Sequence, residues 1–388
     1  MGPRGLRATR GLRVVTVSLS AGCLLAGCSG SAQTELPVSS PSVSAASATE
    51  VSPTPSTIRR AASDYQAMQR QLAQQLSGGD PELKAVRSVL VSVDGQTVVK
   101  FYRNRTPADY AHVYSVTKSV LSILVGIAVD EGRLNVDQNL RELLPRQASI
   151  MTDRQASITL RHLLTMTSGI SGDHPSENAV SHILEYGTSN DPGVTFEYSN
   201  GNAHLVAAVL REAVDRPILE YARERLFDPL KIDTRPAWQG ADWDLVQTGL
   251  TQPGFGWARD RDGLNVGGFG LKLTAPDLVK IGELSVNGGR WDGRQIVSAA
   301  WVQESTSPKL TPEQAEAAGS QYGYMWWTGE FDGHAGFLAS GAYSQKIFCI
   351  PTLRLVVVVT AAFEDNPGTL GETVDAMLEE VIFDPLIQ

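Results

Sequence analysis

The sequence predicts an α+β fold: an antiparallel sheet of about five strands, flanked by a first and a last helix and interrupted by a large, mostly helical insertion. Three observations predict it. Strand-like runs gather at the two ends of the folded part, a hairpin dipeptide joins the first two, and the span from about Ser115 to Leu310 is mostly helical in pattern, with several Gly- and Pro-rich loops. The 388 residues are 42% hydrophobic with a formal net charge of −9, an ordinary globular composition. An acidic chain without a Lys/Arg block lacks the electrostatic footprint that a phosphate backbone requires, so no nucleic-acid partner is expected.

The N-terminus carries Arg4, Arg7, Arg10 and Arg13 without an acid, then a mostly apolar stretch from Val14 to Leu25. That is the layout of a secretory signal, and the stretch is too short to span a bilayer as a mature helix. Leu25, Ala26, Gly27 and Cys28 close it. This run is similar to the lipobox of bacterial lipoproteins, and the similarity implies cleavage before Cys28, acylation of that cysteine, and a protein held in the bacterial cell envelope on the export side. Losing residues 1–27 removes four arginines and no acid, which takes the net charge from −9 to −13. So acidic a chain is not held by anionic lipid, whereas acyl chains contribute about 0.8 kcal/mol per buried methylene. The membrane is expected as an anchor point only.

From Ser29 to Thr57, 21 of 29 residues are Ser, Thr, Pro or Ala and none is aromatic, so residues 28–58 read as a lipidated cysteine followed by a flexible tether. The folded domain is expected over 59–388, with a sheet lobe from 59–110 and 320–388 and a helical lobe from 111–319. Once Cys23 has left with the leader and Cys28 is acylated, Cys349 is the remaining thiol, which excludes an internal disulfide. Its apolar, strand-like surroundings make it a core residue.

Residues 59–77 favour helix, with Tyr65, Met68, Leu72 and Leu76 at three- and four-residue spacing and a stop at Gly78 and Gly79. Strands are expected over Ala85–Val93 and Gln96–Tyr102, joined by Asp94 and Gly95, a strong hairpin signal. At the far end strands are expected over Tyr322–Thr328, Ser340–Ile350 and Arg354–Ala361, then a helix over Leu370–Phe383. A sheet built from both termini around a helical insertion leaves a cleft between lobes, a preferred place for a ligand.

Three motifs carry chemistry. Ser115 and Lys118 form the sequence's single Ser-x-x-Lys match and precede the apolar run Val120–Val129, which places them on one face in the first turn of a buried helix. A Ser there has free N–H groups and the positive end of the helix dipole nearby, suited to a developing negative charge. Burial and that same helix end both disfavour the charged form of Lys118, which suits it to take the Ser proton. Next, Tyr198 and Asn200 stand two residues apart in a turn-rich segment entering a helix near Ala203: the phenol can relay protons, and the amide can hold a carbonyl or orient Lys118. Read by itself, Asn200 is equally a turn or cap residue. The third motif, Ala339–Gln345, is expected at the start of a strand, where Gly341 lets a substrate approach the backbone and the Ala342 N–H completes an oxyanion hole with that of Ser115. Taken alone, it is equally a small-residue strand start.

In this order, over a sheet, a helical insertion and a sheet, the motifs resemble the serine β-lactamase and penicillin-binding-protein family, in the branch of class C β-lactamases, related family VIII-type esterases and 6-aminohexanoate-oligomer hydrolases. Thr159–Ile170, Gly267–Leu284 and Tyr322–Trp327 fit the same branch, so the resemblance spans roughly residues 85–365. It implies a β-lactamase/transpeptidase-like fold with Ser115 as nucleophile, Lys118 as its base, Tyr198 as the acid/base for leaving group and water, and Asn200 as a substrate contact. It implies no metal and no organic cofactor, and a small ester, amide or cell-wall-related substrate. The third motif of this family usually opens with Lys or His, and here Ala339 occupies that place, so the cation that would meet a β-lactam or peptide-stem carboxylate is missing.

The expected function is therefore an envelope-anchored serine hydrolase cleaving an ester or amide through an acyl-enzyme. Its rivals are a catalytically idle binding or regulatory protein on the same fold, and a D,D-carboxypeptidase or β-lactamase. No zinc spacing occurs among the six His residues, and no Gly-x-Ser-x-Gly elbow, Walker loop or dinucleotide fingerprint occurs. His182 with Glu185 reads as a solvated helix pair, His334 as a loop residue, and Trp326 with Trp327 as core and cleft wall.

Overall fold

The computed structural model describes residues 60–170, 180–238, 253–331, 333–363 and 369–387. The leader, the tether and Cys28 lie outside these residues. The first helix, α1 (Ala62–Ser77), buries Met68, Leu72 and Leu76 of the stripe its sequence predicts, leaves Tyr65 half-buried, and ends at Gly78. It lies along β2 (Gln96–Tyr102), where the Gln69 side chain donates to Lys100 O at 2.7 Å and accepts from Lys100 N–H at 2.7 Å. Gln69 thereby satisfies backbone groups that an edge strand would leave open. β1 (Val86–Val93) turns into β2 through Asp94 and Gly95 at φ of 50° and 75°, the left-handed pair that a two-residue hairpin demands.

The main sheet has seven strands, two more than the sequence predicts: β2, β1, β13 (Leu355–Ala361), β12 (Gln345–Ile350), β11 (His334–Gly341), β10 (Trp327–Phe331) and β9 (Gln321–Tyr322), in that spatial order with antiparallel neighbours throughout. A small sheet, β3 (Tyr110–His112), β6 (Leu271–Thr274), β5 (Phe255–Trp257) and β4 (Ala237–Trp238), and a ribbon of β7 (Arg290–Trp291) with β8 (Arg294–Gln295) stand within the otherwise helical insertion. The two extra strands of the main sheet arise from turns in the C-terminal part. The expected strand Tyr322–Thr328 breaks at Met325, whose φ is 62°, into β9 (Gln321–Tyr322) and β10 (Trp327–Phe331). The expected strand Ser340–Ile350 is the end of β11 (His334–Gly341) and all of β12 (Gln345–Ile350). Between them the chain reverses over 342–344, with Tyr343 and Ser344 at φ of 60° and 59°.

The last strand, β13 (Leu355–Ala361), is buried from Leu355 through Thr360 because both faces of the sheet are covered. Successive residues of β12 show the two faces. Ile347 and Cys349 point at α4 (Ala275–Val286), where Gly282 lies so close that a Cβ would stand 2.4 Å from Val356 Cγ1 and 2.9 Å from Ile347 Cγ2. Lys346 and Phe348 point at α5 (Leu370–Leu378) and the wide turn after it, with Phe383 packed 5.5 Å from the Phe348 ring. Two more helices position the site: α2 (Val116–Asp130), buried from Val116 to Ala128, and α3 (Asn200–Val214), which packs against it. Trp301 fixes α2 by lying over Gly126 and donating its indole N–H to Ser122 O at 3.1 Å.

Candidate active site

Ser115 stands immediately before α2, with the first turn of that helix closed behind it by Val116 N–H to Val113 O at 3.1 Å, Thr117 N–H to Tyr114 O at 3.0 Å and Lys118 N–H to Ser115 O at 3.0 Å. Tyr114 holds a φ of 46°, sparsely populated by bulky residues. Such a backbone persists where its surroundings over-determine it. Here Thr117 Oγ1 donates to Tyr114 O at 2.6 Å and accepts from Leu271 N–H at 3.3 Å, while Val113 N–H donates to Leu271 O at 3.0 Å. Strand β6 thus clamps the turn that presents the serine.

Lys118, only 1% exposed, points back along α2. Its Nζ lies 3.1 Å from Ser115 Oγ, 2.7 Å from Asn200 Oδ1 and 2.8 Å from Gly268 O. A carbonyl oxygen can only accept, so the amide of Asn200 and the carbonyl of Gly268 both take N–H bonds from the amine. The remaining tetrahedral direction faces the serine hydroxyl, which can donate as well as accept. A neutral amine held this way aims its lone pair at the Ser115 proton, the geometry a general base requires.

Tyr198 completes the constellation. Its ring centroid is 4.7 Å from Lys118 Nζ, stacked on Trp327 at 5.5 Å with a 20° interplanar angle and edge-on to Tyr322 at 6.1 Å. Ser199 caps α3 by accepting from Asn202 N–H at 3.3 Å, so Tyr198 leads into that helix and Asn200 lies in its first turn. The segment before it is tied down by Glu197 N–H to Met166 O at 2.8 Å and Gly193 N–H to Thr167 O at 2.7 Å. Those bonds give the run Leu163–Gly169 a structural purpose. Burial raises the Tyr322 phenol well above its ordinary value, with Tyr198 adding to the effect, and this keeps it protonated beside the site.

The third motif reaches the site by a different route from the one expected. Gly341 ends β11 rather than starting a strand, and Ala342 opens the hairpin turn. Gly341 is nonetheless required: a Cβ there would stand 2.4 Å from Val113 O and 3.2 Å from Ser115 N. The bare backbone lets the strand end touch the nucleophile's turn. Ala339, on the same face two residues earlier, is fully buried and brings no charge. Lys346, the strand partner of Ser340, leads its ammonium to Asp375 on the far face of the sheet.

Residues that sequence reasoning missed hold Lys118 from behind. Gly267 and Gly268 lie against the start of α3, where a Cβ would stand 2.0 Å from Ala203 O or 2.5 Å from Asn200 Oδ1. The loop carrying them is fixed by His204 of α3, whose Nε2 is 3.0 Å from Asp260 Oδ2 and whose Nδ1 accepts from Gly267 N–H at 3.4 Å. Both side chains are buried, at 0% and 3% exposure. The adjacent glycines were the available signal.

Of the other residues singled out in sequence, Trp327 borders the site and the rest fall outside it. Cys349 is buried with its thiol pushed well above its ordinary value by burial, so it remains protonated and inert. His182 and Glu185 pair at 3.4 Å on a partly exposed helix. His334 opens β11 and shares a hydrogen bond with Thr352 at 3.0 Å, seven residues from Gly341. Trp326 packs on Phe337 in the core, while Trp327 forms the wall beneath Tyr198.

Fold and constellation together define a serine hydrolase of the β-lactamase and transpeptidase-like class. The sequence model of the Beta-lactamase family matches residues 68–381, and the chain belongs to that family. It is similar to the 6-aminohexanoate-dimer hydrolase of Paenarthrobacter ureafaciens, with 24% identity over 71% of this chain and 72% of that protein. It is also similar to penicillin-binding protein 4 of Amycolatopsis lactamdurans, with 25% identity over 70% of this chain and 79% of that one. Among solved structures it shares its fold with EstCE1, a hydrolase with promiscuous acyltransferase activity, at a TM-score of 0.63 and 16% identity over 83% of this chain and 99% of that one.

Proposed function

We propose that this serine hydrolase is anchored in the bacterial cell envelope and cleaves an ester or amide through an acyl-enzyme on Ser115. The observation that carries the reading is the buried Lys118 Nζ at 3.1 Å from Ser115 Oγ, with two acceptors holding its other directions. Lys118 takes the Ser115 proton as Oγ attacks the carbonyl carbon. The developing oxyanion is met by the N–H groups of Ser115 and Ala342 across the bare Gly341. Tyr198 protonates the departing alcohol or amine and the ester to Ser115 forms; water, deprotonated through the same pair, then releases the acid and restores the serine. Asn200 holds the substrate's polar group while orienting Lys118. Ala339, buried and uncharged, favours substrates without a carboxylate beside the scissile carbonyl.

The test is intact-protein mass spectrometry of residues 57–388 after exposure to a fluorophosphonate. A single adduct is expected in the wild type and none in Ser115→Ala; turnover of short-chain esters or amides retained in Ser115→Ala overturns the reading. For the anchor, the full chain expressed with an alkynyl fatty acid should incorporate the label, and Cys28→Ser should abolish incorporation. Equal labelling of both rejects the anchor and leaves the hydrolase reading standing.

A further inference from the structure

Two turns supply the N–H groups that meet the oxyanion, the one that presents Ser115 and the one that opens at Ala342. Each carries an aromatic residue with left-handed backbone beside its donor: Tyr114, immediately before Ser115, at φ 46°, and Tyr343, immediately after Ala342, at φ 60°. Bulky side chains seldom adopt that conformation, and it persists where contacts over-determine it.

The contacts here include each other's rings. The centroids of Tyr114 and Tyr343 are 5.0 Å apart at an interplanar angle of 64°. Tyr114 also stands edge-on to His112 of β3 at 4.1 Å, and Tyr343 to Phe363, just past the end of β13, at 4.8 Å. Four rings thus run in a ladder from the small sheet to the main sheet, past the two donors. Edge-to-face pairs favour a defined geometry beyond the area they bury, so such a ladder acts as a strut. Gly341 provides no side chain that could set the spacing instead, since a Cβ there would stand 2.4 Å from Val113 O and 3.2 Å from Ser115 N. From below, the buried Gln345 amide donates to Tyr343 O at 3.0 Å and to Ala361 O at 2.9 Å. Those bonds fix the hairpin turn to its own sheet, and the Tyr343 ring carries it to the turn of Ser115.

We propose that Tyr114 and Tyr343 are positioning residues whose ring contact sets the separation of the Ser115 and Ala342 N–H groups, a role that rests on the hydrolase reading and refines it. Neither ring needs to touch the substrate. A hydrogen bond to the oxyanion depends steeply on donor distance and direction, so a small shift of either turn is felt in the rate and little in substrate binding. Two unfavourable backbones beside the donors are then the cost of placing two rings where they can meet.

The test separates ring from backbone. Glycine accepts left-handed φ, so Tyr343→Gly and Tyr114→Gly remove a ring while relieving the backbone, and Tyr343→Phe keeps the ring. On the full chain, the rate and the final extent of fluorophosphonate labelling are followed by intact-protein mass spectrometry. Each glycine variant should reach the wild-type extent about 30-fold more slowly, less than the roughly 100-fold or more that outright loss of an oxyanion donor costs, and Tyr343→Phe should label within about twofold of the wild-type rate. The double glycine variant should also be about 30-fold slow, because the second ring has nothing left to meet. Wild-type rates in the glycine variants, a double variant slowed by the product of the two effects, or Tyr343→Phe as slow as Tyr343→Gly would each overturn the proposal. So would a lower final extent at an unchanged rate, the mark of a merely structural role. Should Tyr114→Gly not fold, Phe363→Ala replaces it, since that ring is 48% exposed and bears on Tyr343. It should slow the wild type about threefold and leave Tyr343→Gly unchanged, and no slowing, or equal slowing in both, overturns the proposal. A wild type that takes no label removes the hydrolase reading and this role with it, whereas a labelled wild type with unaffected variants removes this role alone.

Discussion

Among the three lysines buried in the described residues, Lys118, Lys272 and Lys346, the first and the last have surroundings that send them to different work. Lys118 is 1% exposed and its ammonium nitrogen meets a hydroxyl, an amide oxygen and a backbone carbonyl. Lys346 is 6% exposed and its nitrogen meets the Asp375 carboxylate between β12 and α5. Burial pushes Lys346 down and Asp375 up from their ordinary values, and each partner's charge opposes the other's displacement. The pair is therefore a closed structural unit: proton and charge are shared locally and nothing reactive faces either group. Around Lys118 the contacts run to uncharged groups, which can still accept from the amine once its charge is lost. A buried lysine is a base where its partners tolerate loss of its charge, and a fastener where a carboxylate holds it.

The comparison is broken most sharply by removing each lysine in turn. Lys118→Met should lower kcat/KM by about 1,000-fold, in the range of a lost general base, while the chain still folds, as burst and steady-state ester kinetics with circular dichroism would show. Lys346→Met should do the reverse: activity per folded molecule is kept, and denaturant unfolding loses about 3–5 kcal/mol because Asp375 is left as an unpaired buried charge. Adding Asp375→Leu should return stability to the wild-type value or above, since the pair's attraction mainly offsets its own desolvation. A Lys346→Met enzyme that is stable but inactive would show that the two lysines were assigned the wrong way round. Tyr198→Phe keeps the ring on Trp327 and removes only the hydroxyl, so kcat should fall about 100-fold with KM little changed. His204→Phe breaks the link to Asp260 and the Gly267 N–H. It should cost about 2 kcal/mol in unfolding free energy and lower kcat more than it raises KM, because the Gly268 carbonyl behind Lys118 loses its support.

What could be read from the sequence followed the range of the interactions. Ser115 and Lys118 are three residues apart on one helix, so their contact is local and visible in the spacing. Asn200 reaches the same amine from 82 residues away and was anticipated only through its Tyr-x-Asn motif, while Gly268 reaches it from 150 residues away with no trace in the spacing. Gly268 offers only a backbone carbonyl, for which no side chain speaks. The His204–Asp260 link and the Lys346–Asp375 pair were hidden for the same reason, since such partners meet only after the chain has folded. The hairpin at Asp94 and Gly95 could be anticipated because those residues accept left-handed backbone readily. The one over 342–344 could not, because Tyr343 and Ser344 seldom adopt that conformation, and Met325 concealed the break between β9 and β10 in the same way.

The smallest expected effect tests whether Lys346 is truly committed to Asp375. With Ala339 buried and uncharged on the cleft side and Lys346 turned to the far face, the third motif offers an anionic substrate group no cation. A hydrogen bond from a charged donor to such a group contributes about 1.5–3 kcal/mol, so its lack penalises an anionic substrate by roughly tenfold or more. Paired ester substrates that differ only in a free carboxylate or its methyl ester next to the scissile carbonyl should therefore be cleaved with kcat/KM favouring the methyl ester by about that factor, and by the same factor in Asp375→Asn. A preference that weakens in Asp375→Asn would mean that Lys346, once released, turns its charge toward the cleft. A preference for the free acid in both would mean that the cleft holds a cation from another element.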